Sequence, residues 1–227
     1  MNYQVVIPAR GGSKRLPGKN INILGKYPLI VHSIIYALES FPKENIWVNT
    51  DDELIAEVAK QYSVNITWRP EELGTDTASS AAVLCFQISE FQKANILCDA
   101  IILLQVTNPV RPKGMIENAI HFFEKENRES LASFSRLNKK YGKIVNSVYT
   151  PVNYFPGQRM QDIEPDYFEN GLIYISKTSA ILNKVVITND VYPLVIDGIE
   201  CLVDIDEADD MLFAEFVLLQ KSKKNKI

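Results

Sequence analysis

Cysteine is scarce in this chain of 227 residues. Cys85, Cys98 and Cys201 are an odd number without C-x-x-C spacing, which excludes a disulfide framework and any legible zinc site. They read as small buried hydrophobes in a reducing cytoplasm. Only two histidines occur, His32 and His121, and neither has a partner at ligand spacing, so no histidine-based metal or acid–base constellation is present. No apolar run approaches the roughly 20 residues of a membrane span. The first such run, Val5 to Ile7, is broken at once by Pro8 and Arg10, which argues against a signal peptide. An excess of positive charge is also missing: 24 Lys and Arg against 28 Asp and Glu give −4, which excludes a generally basic nucleic-acid binder. A soluble, cytoplasmic protein with no nucleic-acid or membrane partner is expected.

Acid is missing locally too. Residues 1–38 hold no Asp or Glu but five bases, Arg10, Lys14, Arg15, Lys19 and Lys26. Residues 221–227 add Lys221, Lys223, Lys224 and Lys226, and read as a tail fraying in solvent. The body between is strongly acidic. A positive N-terminus on an acidic protein suggests a local anion site.

Strand-like and helix-like segments alternate along the chain. Hydrophobic patterning predicts strands near 3–9, 45–50, 63–68, 99–105, 131–136, 171–176, 194–196 and 201–203. Helices are predicted near 28–40, after Asp52 as a cap, at 77–93, 114–126 and 207–220. The last should bury Leu212, Phe213, Phe216 and Leu219. The four aliphatics of Ile101–Leu104 suit a central parallel strand covered on both faces. This order implies a layered α/β sheet. The rhythm fails between 138 and 169, so the chain reads as one domain, 1–227, with an arm over 138–169.

The densest chemistry follows the first strand, in Pro8-Ala9-Arg10-Gly11-Gly12-Ser13-Lys14-Arg15-Leu16-Pro17-Gly18-Lys19-Asn20. Glycines let backbone N–H groups approach phosphate oxygens, and Arg and Lys supply charge. It is not a Walker A loop, because five residues separate Gly12 from Gly18 and Asn20 follows Lys19. G-x-G-x-x-G is absent, which argues against a dinucleotide site. The loop points to a polyphosphate.

This segment resembles the signature I-P-A-R-G-G-S-K-x-L/I-P-x-K-N of the CMP–sialic acid synthetases (acylneuraminate cytidylyltransferases), a family that includes legionaminic and pseudaminic acid cytidylyltransferases. The resemblance continues in order. Val48-Asn49-Thr50-Asp51-Asp52 is similar to V-S-T-D-D/S. Arg69-Pro70-Glu71-Glu72-Leu73 with Asp76-Thr77-Ala78-Ser79-Ser80 is similar to R-P-x-x-L-x-x-D-x-A/T-S/T-S. Leu103 to Arg111 resembles L-L-Q-P-T-S-P-L-R, Asn170 to Ile175 resembles N-G-A-I-Y-I, and Val203 to Asp206 resembles I-D-I-D.

The resemblance implies a Rossmann-like, three-layer nucleotidyltransferase sheet, mostly parallel, with a small dimerisation arm and a homodimer. It implies the reaction CTP + nonulosonic (nine-carbon, sialic-type) acid → CMP-sugar + pyrophosphate, by in-line attack of the anomeric hydroxyl on the α-phosphorus. Arg10, Gly11, Gly12, Ser13, Arg15, Lys19 and Asn20 would hold the CTP phosphates and ribose, with Lys19 and Arg10 stabilising the departing pyrophosphate. Arg69 and Ser80 would contact cytidine. Gln105 would face the sugar acid, Lys143 and Arg159 would meet phosphate or the sugar carboxylate, and Asn170 would line the substrate site. Asp204 and Asp206 would hold Mg²⁺, with Mn²⁺ able to substitute, from one face of a strand.

Val106 and Asn108 depart from the family's Pro and Ser, and this departure lies toward the sugar. Two other readings exist. A KDO cytidylyltransferase shows Q-G-D-E-P where this chain has Gln105-Val106-Thr107-Asn108-Pro109, with Thr107 at its metal-binding Asp. A non-catalytic nucleotide-binding module would not need Asp204, Asp206 and Lys19 together.

Overall fold

A computed structural model describes residues 1–224. Strand β1 (Tyr3–Pro8) buries Val5 and Ile7 on one face and Val6 on the other, as a parallel strand covered on both sides must. A two-residue ribbon, β2 (Ile23–Leu24) and β3 (Tyr27–Pro28), leads into α1 (Leu29–Leu38). Strand β4 (Ile46–Thr50) is followed by α2 (Glu53–Lys60), whose start is capped as expected: Ile55 N donates to Asp52 Oδ1 at 3.0 Å. Next come β5 (Asn65–Trp68), α3 (Ser80–Lys93), β6 (Ala100–Leu103) and α4 (Met115–Glu126).

The second half adds β7 (Ser130–Leu137), a hairpin of β8 (Gly142–Val145) and β9 (Val148–Pro151), then β10 (Asp166–Lys177), α5 (Thr178–Leu182), β11 (Val191–Val195) and α6 (Ala208–Lys224). Seven strands form one sheet in the order β11-β7-β10-β6-β1-β4-β5, and only β10 runs antiparallel to its neighbours. Helices α1, α2, α4 and α6 pack on one face, α3 and α5 on the other, giving three layers.

From β1 the chain moves outward to β4 and β5, then returns to β6 on the other side of β1 before continuing to β7. The strand order therefore reverses between β1 and β6, and the crevice beyond their carboxyl ends is where open α/β sheets bind ligands.

Four expectations are corrected. Residues 201–203 are no strand; a 3-10 turn over Ile199–Leu202 ends in an irregular segment. Helix α6 turns Leu212, Phe216 and Leu219 outward, Leu212 being 66% exposed, and buries Ala214 and Val217 with Phe213 half-buried beside them. The helix rotates this way because small and β-branched side chains fit closer to the sheet, where Val217 packs with Cys201, Val203 and Ile205 in the same core. The lysine tail is helical through Lys224, and Lys221 Nζ donates to the Arg111 carbonyl at 3.0 Å; the expectation for Lys226 lies outside the described residues. Finally, β10 begins at Asp166, inside the segment read as an arm, so the excursion proper is the β8–β9 hairpin and the loop after it.

One buried cation ties the crevice together. Arg111 is 6% exposed and donates to the carbonyls of Gln105 (2.6 Å) and Leu172 (2.8 Å) and to Ser33 Oγ (2.9 Å), with its guanidinium 5.7 Å from the Tyr36 ring centroid. Burial pulls its pKa down to about 10. Arg111→Met should destabilise the protein by about 3 kcal/mol in urea denaturation, because the buried Leu172 carbonyl loses its side-chain donor and the Gln105 carbonyl its shortest one. An unchanged midpoint would mean the aliphatic stem supplies the stabilisation.

Candidate active site

The loop after β1 is built around two close approaches. Gly11 N donates to Asp51 Oδ1 at 3.0 Å, and a Cβ on Gly11 would run into the Asp52 carboxylate. Gly18 adopts φ +65°, a left-handed conformation that favours glycine, and turns the chain into the short 3-10 helix Lys19–Ile21. Asn20, buried, donates from Nδ2 to the Arg10 carbonyl at 2.8 Å and closes the loop on itself. Gly12 faces open space, free for a ligand to approach.

The loop walls a pocket of about 200 Å³ at the reversal point. Arg10, Ser13, Lys19 and Asn20 line it from the segment after β1, Arg69 from just past β5, Ala78 and Ser80 from the start of α3, and Gln105 to Thr107 from the loop after β6. Six residues read as nucleotide contacts, Arg10, Ser13, Lys19, Asn20, Arg69 and Ser80, thus share one cavity with Gln105, read as facing the sugar acid. Ser79 caps α3 by accepting from Ala82 N at 3.2 Å, which fixes Ser80 at the pocket's rim.

Arg69 is more committed than its motif suggested. Its Nε and Nη2 donate to Asn49 Oδ1 (2.8 Å) and the Asn49 carbonyl (2.7 Å), and Nη1 to the Leu73 carbonyl (3.3 Å). Asn49 in turn donates to Gln87, and Gln87 to Thr67, so a buried polar network stands behind the pocket wall. Burial lowers the Arg69 pKa, partly offset by the Asp51 charge.

The acidic segment arrives from the other end of the chain and is pinned at three points. Asn108 Nδ2 donates to the Val203 carbonyl (3.0 Å), Ile205 N donates to the Thr107 carbonyl (2.8 Å), and Lys19 Nζ donates to the Ile205 carbonyl (2.8 Å). Asp210 accepts from the N–H groups of Asp206 and Glu207, starting α6. Asp204 and Asp206 therefore project from a loop, not from a strand.

Lys19, with a side chain only 12% exposed, also bonds Asp206 Oδ1 at 3.0 Å, while Arg15 reaches Asp206 Oδ2 at 2.7 Å. Against the penalty of partial burial, the Lys19 bond and charge and then Arg15 hold the Asp206 carboxyl below the usual carboxylate range. Asp204 is pushed the other way, first by burial and then by the Asp206 charge, with the Thr107 hydroxyl and Lys19 tempering the rise. A divalent cation beside the pair would relieve both effects on Asp204. Two carboxylates form a hard-oxygen set suited to an ion that keeps phosphate and water ligands, and among the described residues no larger His, Cys, Asp and Glu cluster exists.

Three expected substrate residues lie elsewhere. Asn170 is buried, taking Ser133 Oγ at 2.5 Å and giving to Ser135 Oγ at 2.9 Å, so its side chain is spent on joining β10 to β7. It sits in a break of the β10 register, where Gly171 (φ +73°) leaves room for Asn108. Asn108 is likewise buried and structural, so its departure from the motif does not face the sugar. Lys143, on β8, and Arg159, paired with Asp162 at 2.7 Å, are both exposed and outside this chain's own pocket. Residues unread at the sequence level are Asp51, Asn49 and Gln87, which position the walls, and Asp76, whose oxygens meet Arg10 (2.5 Å) and Lys14 (2.6 Å). Asn49, Asp51 and Asp76 sit in the quoted motifs, the one available signal.

CMP-N,N'-diacetyllegionaminic acid synthase of Legionella pneumophila is 36% identical over 223 residues, 95% of each chain. Pseudaminic acid cytidylyltransferase of Campylobacter jejuni is 32% identical over 224 residues, 96% of each. An N-acylneuraminate cytidylyltransferase of Streptococcus agalactiae is 33% identical over 96% of this chain, which spans only 55% of that protein. Among solved structures, CMP:2-keto-3-deoxy-manno-octonic acid synthetase complexed with CTP overlays with TM-score 0.70 at 17% identity, covering 97% of this chain and all of that one, a likeness of fold alone. The cytidylyltransferase family model matches residues 4–224. That match begins in β1 and ends in α6, enclosing both segments that meet at Lys19 and Asp206: the chain belongs to the cytidylyltransferase family.

Proposed function

We propose that this protein activates a nonulosonic acid, converting CTP and the acid into a CMP-sugar and pyrophosphate, in the cytoplasm. The observation that carries the reading is the meeting of a base-rich loop and an acidic pair at one pocket, in a chain 36% identical to a CMP-legionaminate synthase. A KDO substrate is not favoured: the likeness to that synthetase is at 17% identity and rests on fold.

The residues' work is electrostatic positioning. Arg10 and Lys19 line the pocket beside Ser13, Arg15 reaches in only as far as Asp206, and Gly12 has an open face, so phosphate oxygens entering there meet charge and backbone N–H groups. Lys19 is held in place by the Ile205 carbonyl and Asp206, and its fixed ammonium offsets charge as it grows on the leaving pyrophosphate. Gln105, at the end of β6, holds the acid so that its anomeric hydroxyl lies in line with the α-phosphorus. Asp204 and Asp206 would hold Mg²⁺, which when bound offsets α-phosphate charge and lowers the pKa of the attacking hydroxyl.

Incubation with CTP, Mg²⁺ and sialic, legionaminic or pseudaminic acid should release pyrophosphate with at least one of them. Silence with all three would refute the proposal. Asp206→Asn should lower kcat roughly a hundredfold or more with little change in CTP binding, whereas Lys19→Ala should weaken both. Near-normal turnover in Asp206→Asn would make the acidic pair structural.

A homodimer joined through the arm completes the proposal. Ile144, Val145, Val148 and Phe155 are exposed on the hairpin and the loop after it, and Lys143 and Arg159 share this excursion rather than their own chain's pocket. Light scattering should report about twice the 25.7 kDa chain mass at micromolar concentration. A monomer would exclude the arm as an interface.

A further inference from the structure

Two carboxylates hold all four bases of the phosphate loop. Asp206 takes Arg15 and Lys19; Asp76 takes Arg10 at 2.5 Å with one oxygen and Lys14 at 2.6 Å with the other. The two are not equivalent. Asp206 stands beside Asp204, and on the proposed function the two would hold a metal ion that offsets their charge. Asp76 spends both oxygens on bases that a triphosphate would use, in the segment that lines the pocket with Ala78 and Ser80.

A phosphate chain and the Asp76 carboxylate compete for the same two cations. Lys14 is 83% exposed and free to swing, and Asp76 is itself a surface side chain, so exchange needs only rotation about side-chain bonds. The anchors on either side stay made. Gly74 abuts Asp51 at one end, where a Cβ would strike the Asp51 carboxylate, and Ser79 caps α3 at the other. Hydrogen bonds from Lys14 and then Arg10 keep the Asp76 carboxyl below its ordinary range, so it is charged at neutral pH.

We propose that Asp76 is a built-in counter-ion of the empty nucleotide site. Its carboxylate neutralises Arg10 and Lys14 until nucleotide phosphate displaces it, and its return competes with pyrophosphate after the reaction. Asp76 thereby sets nucleotide affinity without touching the reacting atoms. This rests on the cytidylyltransferase reading for CTP, while its phosphate arm stands independently.

Isothermal calorimetry of the full chain with inorganic pyrophosphate, CTP and cytidine, each with Mg²⁺, tests it. Asp76→Asn should bind pyrophosphate and CTP about threefold or more tightly, the scale of removing one nearby charge in a water-filled site. Cytidine should bind as to the wild type, and the gain should shrink as salt is added. Asp76→Glu, which restores the charge, should return affinity toward the wild-type value. In turnover, Asp76→Asn should show a lower KM for CTP and stronger inhibition by pyrophosphate, without a higher kcat. Equal or weaker pyrophosphate binding by Asp76→Asn, at an unchanged melting temperature, would overturn the proposal and make Asp76 an orienting clamp. If the wild type fails to bind CTP while Asp76→Asn still gains affinity for pyrophosphate, the counter-ion role stands and the functional reading falls.

Discussion

The site depends on one nearly buried ammonium. Lys19 Nζ lies between the Ile205 carbonyl and Asp206 Oδ1, joining a loop that follows the first strand to a loop that precedes the last helix. A cation so little exposed requires fixed acceptors, and both of its acceptors come from a segment without regular structure. That segment would not hold its course alone. Asn108 and the Thr107 carbonyl fix it from β6, and Asp210 fixes it from α6. Lys19 thus closes a ring of contacts in which each member orients another, and the pocket is the space the ring encloses.

The sheet explains why these distant segments meet. Parallel strands deliver all their carboxyl ends to one edge, so the loops after β1, β4, β5 and β6 emerge side by side at about 4.8 Å per strand. Where the order reverses, neighbouring loops diverge and leave a crevice. Arg111 then supplies donors to the carbonyls at this edge. One guanidinium reaches both the Gln105 and the Leu172 carbonyls, with shorter bonds than the Gln105 carbonyl takes from Asn108 N or Ser33, and also reaches Ser33 on α1. A cation without a carboxylate partner suits this place, because it satisfies acceptors without adding negative charge near a polyanion's site.

The element order and the phosphate loop were legible in the sequence because both rest on local rules. Hydrophobic runs mark covered strands, Asp52 marks a helix start, and glycine with clustered bases marks an anion loop. What escaped was decided by packing at a distance. The face of α6 followed side-chain fit, with Val217 chosen over Phe216 for the core. The Asn170-Gly171 pair sits at a register break in an antiparallel strand, a partner relation invisible to periodicity. Spacing places Asp204 and Asp206 close together, but neither the strand expected at 201–203 nor an extended strand under the two carboxylates forms, since Val203 and Ile205 bury themselves in an irregular segment. Asp51 and Asp76 stood in quoted motifs without a role, because a carboxylate's partner is known only once the loops are in space.

The division of labour within the chain bears on substrate choice. Most pocket-lining residues stand on loops at the sheet's edge, with Lys19 held by the Ile205 carbonyl and Asp206 and Arg69 held by Asn49. Lys143 and Arg159 stand on a hairpin and loop that leave the sheet after β7 and re-enter at β10. On the proposed function, nucleotide recognition is therefore built at the sheet's edge, and the charges offered to the sugar acid sit on an excursion from the sheet. Acids of this class differ in stereochemistry and acyl groups, differences that apolar contacts separate by only about 1–3 kcal/mol. Such discrimination is adjusted more easily on an excursion than at a sheet edge, because a substitution on the hairpin leaves the ring around Lys19 intact.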